Sequence, residues 1–477
     1  MNPHIVFYQQ YAVPYFGILS IVTHLKHEGL TGDIIIEALE ERPIERIRQL
    51  RPRLVGISVM SPEHTWLIPV SRSIRKALPD VIIIVGGVHA IFYPEEILAE
   101  ASVDLVCHSE GEEVLINVIK ELEKPAPDWA SVQGISYKDN QGNICTNERA
   151  ALVPFDDNII ENKSIYYSRY PQLAKDDVHR FFSSRGCPFR CSFCYNAGIH
   201  DVFKGKGQYV RQKSVQSFIK EIHSECEKYE IKFIFFYDDL FTFDKEWLKE
   251  FLEKYKEQVR LPFWCTTRVN VMDEERAMML ADAGCRTVSY GIETGNYYIR
   301  KNILNKDISD DDIIHCGSLI HKYGMKTQTA NMFCLPDETI EDALQTIELN
   351  ISAKADYAFT ALFLPFPKTE ITNYCIQRGF LKPDYSLKDI PYSFLTSSVL
   401  NIPEQQKETI RNIHRLAYFF VKWPWLFKTC KKVVNLISLA PLFEGIFLFA
   451  NVFRHKEERG ISWWATIRYA WRLRKSF

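Results

Sequence analysis

Cys187, Cys191 and Cys194 lie within Ser184-Arg-Gly-Cys187-Pro-Phe-Arg-Cys191-Ser-Phe-Cys194-Tyr195, three thiols at a CxxxCxxC spacing on one short loop. Three thiolates placed this way can converge on three irons of a cubane and leave the fourth iron open to a ligand. A structural zinc ion is the alternative. It wants a fourth ligand, which His179 or His200 would supply, neither at a usual finger spacing. The other nine of the twelve cysteines are scattered and read as core or incidental thiols, not as a disulfide scaffold.

Charged groups recur after apolar runs. Ile231-Lys-Phe-Ile-Phe-Phe-Tyr237 ends in Asp238 and Asp239, Trp264-Cys-Thr-Thr267 in Arg268, and Cys285-Arg-Thr-Val-Ser-Tyr-Gly-Ile292 in Glu293. A carboxylate there can bind a ligand's cationic group, or the Asp pair can cap the next helix. Arg268 can meet an anion or a surface carboxylate. Upstream, Ser58, Ser61, Gly86, Gly87, His89, Glu110 and Gly111 also follow strand-like runs. The paired glycines either admit a bulky ligand close to the backbone or shape a turn beside a surface histidine.

The elements that must hold these residues are legible as alternation. His4–Tyr8, Asp33–Leu39, Leu54–Met60, Val81–Val85 and Asp104–Cys107 are short and rich in Val and Ile, with helices predicted at Phe16–His27, Trp66–Leu78 and Glu112–Glu123. Near-continuous apolar strands imply burial on both faces, hence a doubly wound, flavodoxin-like parallel sheet over 1–130. Residues 131–178 read as a linker with a small hairpin, Val132–Tyr137 and Ile144–Thr146. Over 179–390, helices at Ser214–Tyr229, Lys245–Gln258, Glu274–Ala283, Asp310–Tyr323 and Thr339–Ala353 separate strands, which predicts a partial (β/α)6 barrel with its site at the strand carboxyl ends. Residues 391–477 form a helical, basic and aromatic C-terminal region.

Two resemblances follow. Gly86-Gly-Val-His-Ala, Tyr93-Pro-Glu-Glu, Asp104-Leu-Val and Gly111-Glu-Glu resemble the cobalamin-binding domain fused in front of many radical S-adenosylmethionine (SAM) enzymes. That resemblance implies cobalamin near Ser58, Ser61, Gly86, Gly87, His89, Glu110 and Gly111. The loop Gln9-Gln-Tyr-Ala-Val-Pro14 lacks the histidine that some such domains place on cobalt, so any cobalamin binds without it. The cysteine trio, with Phe193 before the third thiol, is similar to the radical SAM signature from about residue 180 to 385. The resemblance implies a 4Fe–4S cluster on Cys187, Cys191 and Cys194. It also implies SAM against Phe193 (adenine), Asp238 or Asp239 (methionyl amino group), Glu293 (ribose) and Arg268 (carboxylate or substrate). Cys334, Asp337 and Lys368 stand where relatives carry glycine, in Phe333-Cys-Leu-Pro-Asp-Glu-Thr339 and Leu362-Phe-Leu-Pro-Phe-Pro-Lys-Thr369.

The implied activity is reductive SAM cleavage to a 5′-deoxyadenosyl radical, with cobalamin-dependent methylation of an unreactive carbon. The rivals are cyclisation or rearrangement without methyl transfer, of the kind catalysed by the anaerobic magnesium-protoporphyrin ester cyclase, and a non-catalytic cobalamin or iron–sulfur sensor. An external electron donor such as flavodoxin or ferredoxin is expected.

The net charge of −2 gives no reason to invoke nucleic acid. It conceals an asymmetry, 13 Lys/Arg against 3 Asp/Glu from Arg411 to Phe477. This stretch includes the apolar run Val433–Phe453 and several Trp, which suits either a helical cap on the barrel or an interfacial element on anionic lipid. Asn435, Pro441, Glu444 and Asn451 argue against a span. No signal peptide is read at the N-terminus, so the expected location is cytoplasmic, with peripheral contact at the inner membrane face and a small-molecule or lipid-like substrate.

Overall fold

Ile5–Gln9 (β1), Gly32–Ile36 (β2), Leu54–Ser58 (β3), Ile82–Gly86 (β4) and Leu105–Cys107 (β5) form a parallel sheet in the order β2-β1-β3-β4-β5. In this computed structural model, which describes residues 3–391 and 397–459, these strands belong to a first unit of residues 3–176 and 199–229. Helices α1 (Phe16–His27) and α4 (Gly111–Leu122) cover one face, α2 (Pro43–Leu50) and α3 (His64–Ala77) the other. Burial on both faces explains the unbroken Val/Ile runs.

The predicted linker does more than connect. Ile135–Lys138 (β6) and Ile144–Thr146 (β7) pair antiparallel onto β5 and extend the sheet to seven strands, covering what would be an open edge. Beyond them, Tyr166 and Tyr170 are buried, and their hydroxyls accept the backbone N–H of Tyr15 (3.0 Å) and Ile36 (2.9 Å). Helix α5 (Val215–Cys226), a predicted barrel crossover, also groups with this unit. Buried ion pairs account for that: Lys163 with Glu225 at 2.6 Å, and Lys213 with Glu221 at 2.6 Å and Glu161 at 3.1 Å.

The second unit comprises residues 177–198 and 230 onward. Val178–Phe181 (β8), Phe233–Phe236 (β9), Phe263–Thr266 (β10), Cys285–Glu293 (β11), Lys326–Phe333 (β12) and Tyr357–Leu362 (β13) lie side by side in chain order, all parallel. This is the predicted six-stranded partial barrel. Helices α6 (Lys245–Gln258), α7 (Glu274–Asp282), α8 (Asp310–Lys322), α9 (Ile340–Ser352) and α10 (Glu370–Gln377) connect or follow the strands. Side chains placed at the boundaries start them: Asp244, Asp273, Ser309 and Thr339 each accept a first-turn backbone N–H.

Period-two alternation divides β9 between two cores. Phe236 packs with Phe251 and Tyr255 of α6, while Phe233 and Phe235 join Val178 and Trp264 on the opposite face. The C-terminal helices α11 (Glu404–Lys422), α12 (Pro424–Cys430) and α13 (Ala440–Arg459) follow, α11 being buried against α9 and β13. For α11 the cap reading therefore holds.

Candidate active site at the barrel strand ends

The cysteine loop follows β8 directly. All three thiols are half-buried and free. The loop is a hydrogen-bonded turn, Cys194 N–H donating to the Cys191 carbonyl at 3.1 Å. Ser192 anchors it: its N–H reaches the Leu304 carbonyl (3.1 Å), its hydroxyl the Ile303 carbonyl (2.5 Å), and its own carbonyl accepts from Ile371 N–H (3.2 Å). Asn305 adds a bond from its side-chain amide to the Arg190 carbonyl at 2.7 Å. The segment Ile303–Lys306 is therefore a brace for the loop, and no motif in the sequence marked it.

The two aspartates after β9 have separate tasks. Asp238 is buried and accepts from Ser183 N–H (3.0 Å), the Ser183 hydroxyl (2.7 Å) and the Ser184 hydroxyl, fixing the chain as it enters the cysteine loop. Asp239, next along the chain, is exposed to solvent. Desolvation raises its pKa, against a hydrogen bond from Asn196 that lowers it, and its charge is felt at Cys187 and Cys194. Neither aspartate caps α6, since Asp244 does that. The two lie just beyond β9, Asp238 buried and Asp239 exposed.

Burial, reinforced by Asp239, pushes the Cys194 thiol up to about 11 and raises that of Cys187. Arg268 opposes the rise at Cys187. Its guanidinium donates to Cys191 Sγ at 3.3 Å, lies 4.1 Å from the Phe189 ring centre and bonds Asn270 at 2.9 Å. It is neither a surface salt bridge nor distant from the cysteines.

Glu293 ends β11 in the left-handed region, φ 68°. Its carboxylate turns back over Gly291, where a Cβ would lie 1.9 Å from Oε1, and accepts from buried Lys306 at 2.7 Å. Lys306 also donates to the Gly291 carbonyl at 2.8 Å. The brace that holds the cysteine loop thus also orients Glu293. Cys334, Asp337 and Lys368, the three residues in glycine positions, take φ of 59°, 59° and 66°. Their backbone keeps the glycine-type conformation, and with Glu293 they concentrate strain at the rim of the last three strands. Phe193 is half-buried against the Ile299, Ile303 and Leu335 cluster.

In the first unit, the predicted residues fall into two groups. Ser58, Ser61, Gly86, Gly87 and His89 come together at the ends of β3 and β4. Gly87 has φ 95°, and a Cβ there would lie 2.7 Å from the Val59 carbonyl, so only glycine fits. Its freedom serves packing of the two loops, tied by Val59 N–H to the Gly86 carbonyl (2.9 Å) and His89 N–H to the Val59 carbonyl (3.1 Å). His89 is fully buried rather than a surface residue, with Nδ1 3.2 Å from the Ser61 hydroxyl and Nε2 3.0 Å from His64 Nδ1. Glu110 instead pairs with Arg211 at 2.5 Å and accepts Val153 N–H at 2.7 Å, and Gly111 gives room to Ile21 of α1.

A zinc site does not fit this geometry. Zinc needs its ligands about 2.3 Å from one centre. Among the described residues, no three His, Cys, Asp or Glu side chains are gathered tightly enough for one ion. His179 is buried within β8, and His200 stacks edge-on against Tyr209.

A partial barrel with this cysteine loop, following a doubly wound sheet, defines a two-domain enzyme built to hold an iron–sulfur cluster near carboxylates at the strand ends. Comparison with known families agrees. Residues 181–349 match the radical SAM superfamily and residues 7–119 the B12 binding domain. The chain belongs to the radical SAM enzymes that carry a cobalamin-binding domain, and its cofactors are a 4Fe–4S cluster, SAM and cobalamin. It is 28% identical over 370 residues to an uncharacterized methyltransferase of Pyrococcus horikoshii, covering 76% of this chain and 78% of the relative. It is 24% identical over 369 residues to an anaerobic magnesium-protoporphyrin IX monomethyl ester cyclase of Rubrivivax gelatinosus, covering 74% and 65%. The fold matches the cobalamin-dependent SAM radical enzyme OxsB, solved with aqua-cobalamin and SAM, with a TM-score of 0.68 and 15% identity over 99% of this chain and 75% of that one. Enzymes of this kind need an external electron donor and act on small substrates.

Proposed function

We propose that the chain methylates an unreactive carbon of a small molecule, with Asp239 as the carboxylate that receives the methionyl ammonium of SAM. The observation that carries this reading is the division of labour at β9. Asp238 is engaged by Ser183 and Ser184, while Asp239 is exposed and near enough for its charge to be felt at Cys187 and Cys194. When bound, the cofactors supply reductive cleavage of SAM to a 5′-deoxyadenosyl radical and a methyl group for transfer.

The protein's own part is placement and charge. Cys187, Cys191 and Cys194 hold the cluster and leave one iron for the amino acid moiety of SAM. Arg268 offsets the negative charge of the thiolates and has donors left for the SAM carboxylate. Glu293, fixed by Lys306, keeps a carboxylate oxygen for the ribose hydroxyls, and the exposed face of Phe193 meets the adenine. Ser58, Ser61, Gly86 and Gly87 frame the cobalamin. His89 supports that frame without ligating cobalt, since its nitrogens engage Ser61 and His64. Glu110 and Gly111 act behind it by positioning α4 and the following chain. A cytoplasmic flavodoxin or ferredoxin delivers the electron, a setting in keeping with twelve unbridged cysteines.

The test is anaerobic reconstitution with cobalamin, SAM and a reductant. Methyl transfer predicts S-adenosylhomocysteine together with 5′-deoxyadenosine. Deoxyadenosine alone would favour cyclisation or rearrangement, the reaction named for the Rubrivivax relative. An intact cluster with no SAM cleavage would favour a sensor.

A further inference from the structure

The C-terminal hairpin is not fully accounted for by capping the barrel. One face of α13 is buried: Phe443, Phe447 and Ala450 face inward, and Glu444 is paired with Arg415 of α11 at 2.8 Å. The opposite face is apolar and bare, with Leu442 58%, Leu448 61% and Phe449 56% exposed. Trp423 and Trp425, at the start of α12, are 41% and 64% exposed, and Leu436 in the connection to α13 is 49% exposed. Between the helices lies an apolar groove of about 640 Å³, walled by Phe419, Trp423 and Leu426 on one side and Leu442, Ile446 and Phe449 on the other. Soluble surfaces scatter large apolar side chains singly, and a contiguous set of this size marks an interaction site.

Charge identifies the occupant. Lys428 and Lys432 lie on the same hairpin, exposed and without an ion pair among the described residues, beside Lys431. The stretch from Arg411 to Phe477 carries 13 Lys/Arg against 3 Asp/Glu. A second copy would bring the same positive charge to the contact and be repelled. A bilayer surface rich in anionic lipid supplies both an apolar interior for the Trp, Leu and Phe side chains and phosphates for the lysines.

Eighteen residues, Ile437–Arg454, have a mean hydropathy of 1.4, enough for a span by composition. The Glu444–Arg415 pair and the inward Phe443 and Phe447 hold α13 on the folded unit, so the helix lies along a surface rather than crossing it. We propose that the α12–α13 hairpin docks this enzyme on an anionic membrane surface, placing its active unit where a membrane-resident precursor is at hand.

The test is flotation of the cluster-loaded, full-length protein with vesicles of phosphatidylcholine alone or mixed with phosphatidylglycerol. Binding to the anionic vesicles only, and its loss in 1 M salt, is the expected result. Lys428→Glu/Lys432→Glu should weaken binding at least about ten-fold, each lysine contributing ~1 kcal/mol at such a surface. Leu442→Asp/Phe449→Asp should abolish it while the iron–sulfur absorbance stays unchanged, which shows that the fold is intact. Failure to float with either vesicle, undiminished flotation of both variants, or a dimer that Leu442→Asp/Phe449→Asp dissociates would each overturn the proposal. Reductive SAM cleavage in detergent-free buffer is a separate readout, so failure here leaves the assigned chemistry standing.

Discussion

The two sets of strand ends in this chain are built on opposite plans. At the barrel rim the charged side chains are each steadied by another residue: Asp239 by Asn196, Glu293 by Lys306, Arg268 by Phe189 and Asn270. In the first unit several polar groups at the strand ends satisfy one another. His89 bonds Ser61 and His64, Glu63 accepts from Tyr15 and Met60 N–H, and Gln9 donates to two carbonyls of its own loop. One plan holds a small, highly charged ligand through side chains. The other offers a large cofactor a fixed surface of backbone and shape.

This contrast predicts where each region breaks. The largest effect is expected at Lys306. Replacing it with Met leaves Glu293 charged and buried without a partner, a loss of about 3–5 kcal/mol visible as a lower denaturation midpoint, with the cysteine-loop brace weakened too. Next come the paired aspartates. Asp239→Asn should weaken SAM binding about ten- to hundred-fold, the size of a lost charge-assisted hydrogen bond of ~1.5–3 kcal/mol, with stability nearly unchanged. Asp238→Asn should do the reverse, lowering stability while sparing SAM affinity in whatever fraction folds; isothermal titration and thermal melts separate the two. Equal effects from both would erase the distinction drawn along β9.

Gly87→Ala probes the other plan. A Cβ against the Val59 carbonyl at φ 95° should cost about 2–3 kcal/mol. It should reduce retained cobalamin while the iron content of the same preparation holds. Loss of both together would mean that the two regions are not separable.

The smallest effect is a pH dependence. Glu338 is fully buried and accepts the Leu335 N–H at 3.1 Å, and desolvation raises its carboxyl pKa from 4.5 to about 8. Its folded pKa stands above its unfolded one, so the folded chain keeps a proton that the unfolded chain releases. That stability is complete below pH 4.5 and drains away as the pH rises through about 8. Between pH 7 and 9 the loss should be about 1–1.5 kcal/mol by linkage, and Glu338→Gln should flatten the corresponding melts.

Much of this was legible before any coordinates. Strand and helix periods gave both sheets and their order, because burial on two faces imposes apolar runs that flanking helices must separate. The cysteine loop was legible because metal ligation tolerates few residue types. Asp238 and Asp239 stayed equal candidates, because both follow the strand directly and only their contacts tell them apart. Cys334, Asp337 and Lys368 stand where relatives carry glycine, and the rim accommodates them at positive φ, which residue type alone did not show. Lys306 and Ser192 were out of reach, since their roles depend on contacts with residues 13 and 111 positions away, respectively. Nor could sequence show that β6 and β7 complete the first sheet, since a hairpin reads the same whether it is free or docked. The contacts of Glu110 with Arg211 and of Gly111 with Ile21 were out of reach for a similar reason, since a charge or a glycine after a strand reads alike whatever it faces.

The central claim is that Cys187, Cys191 and Cys194 hold a cluster at which SAM is reductively cleaved. The most direct measurement is 5′-deoxyadenosine released by the anaerobically reconstituted, reduced protein, beside a Cys191→Ala variant prepared identically. The account predicts several equivalents per chain from the native protein and background from the variant. Equal release from both, or none from a native protein that carries four irons, would contradict it.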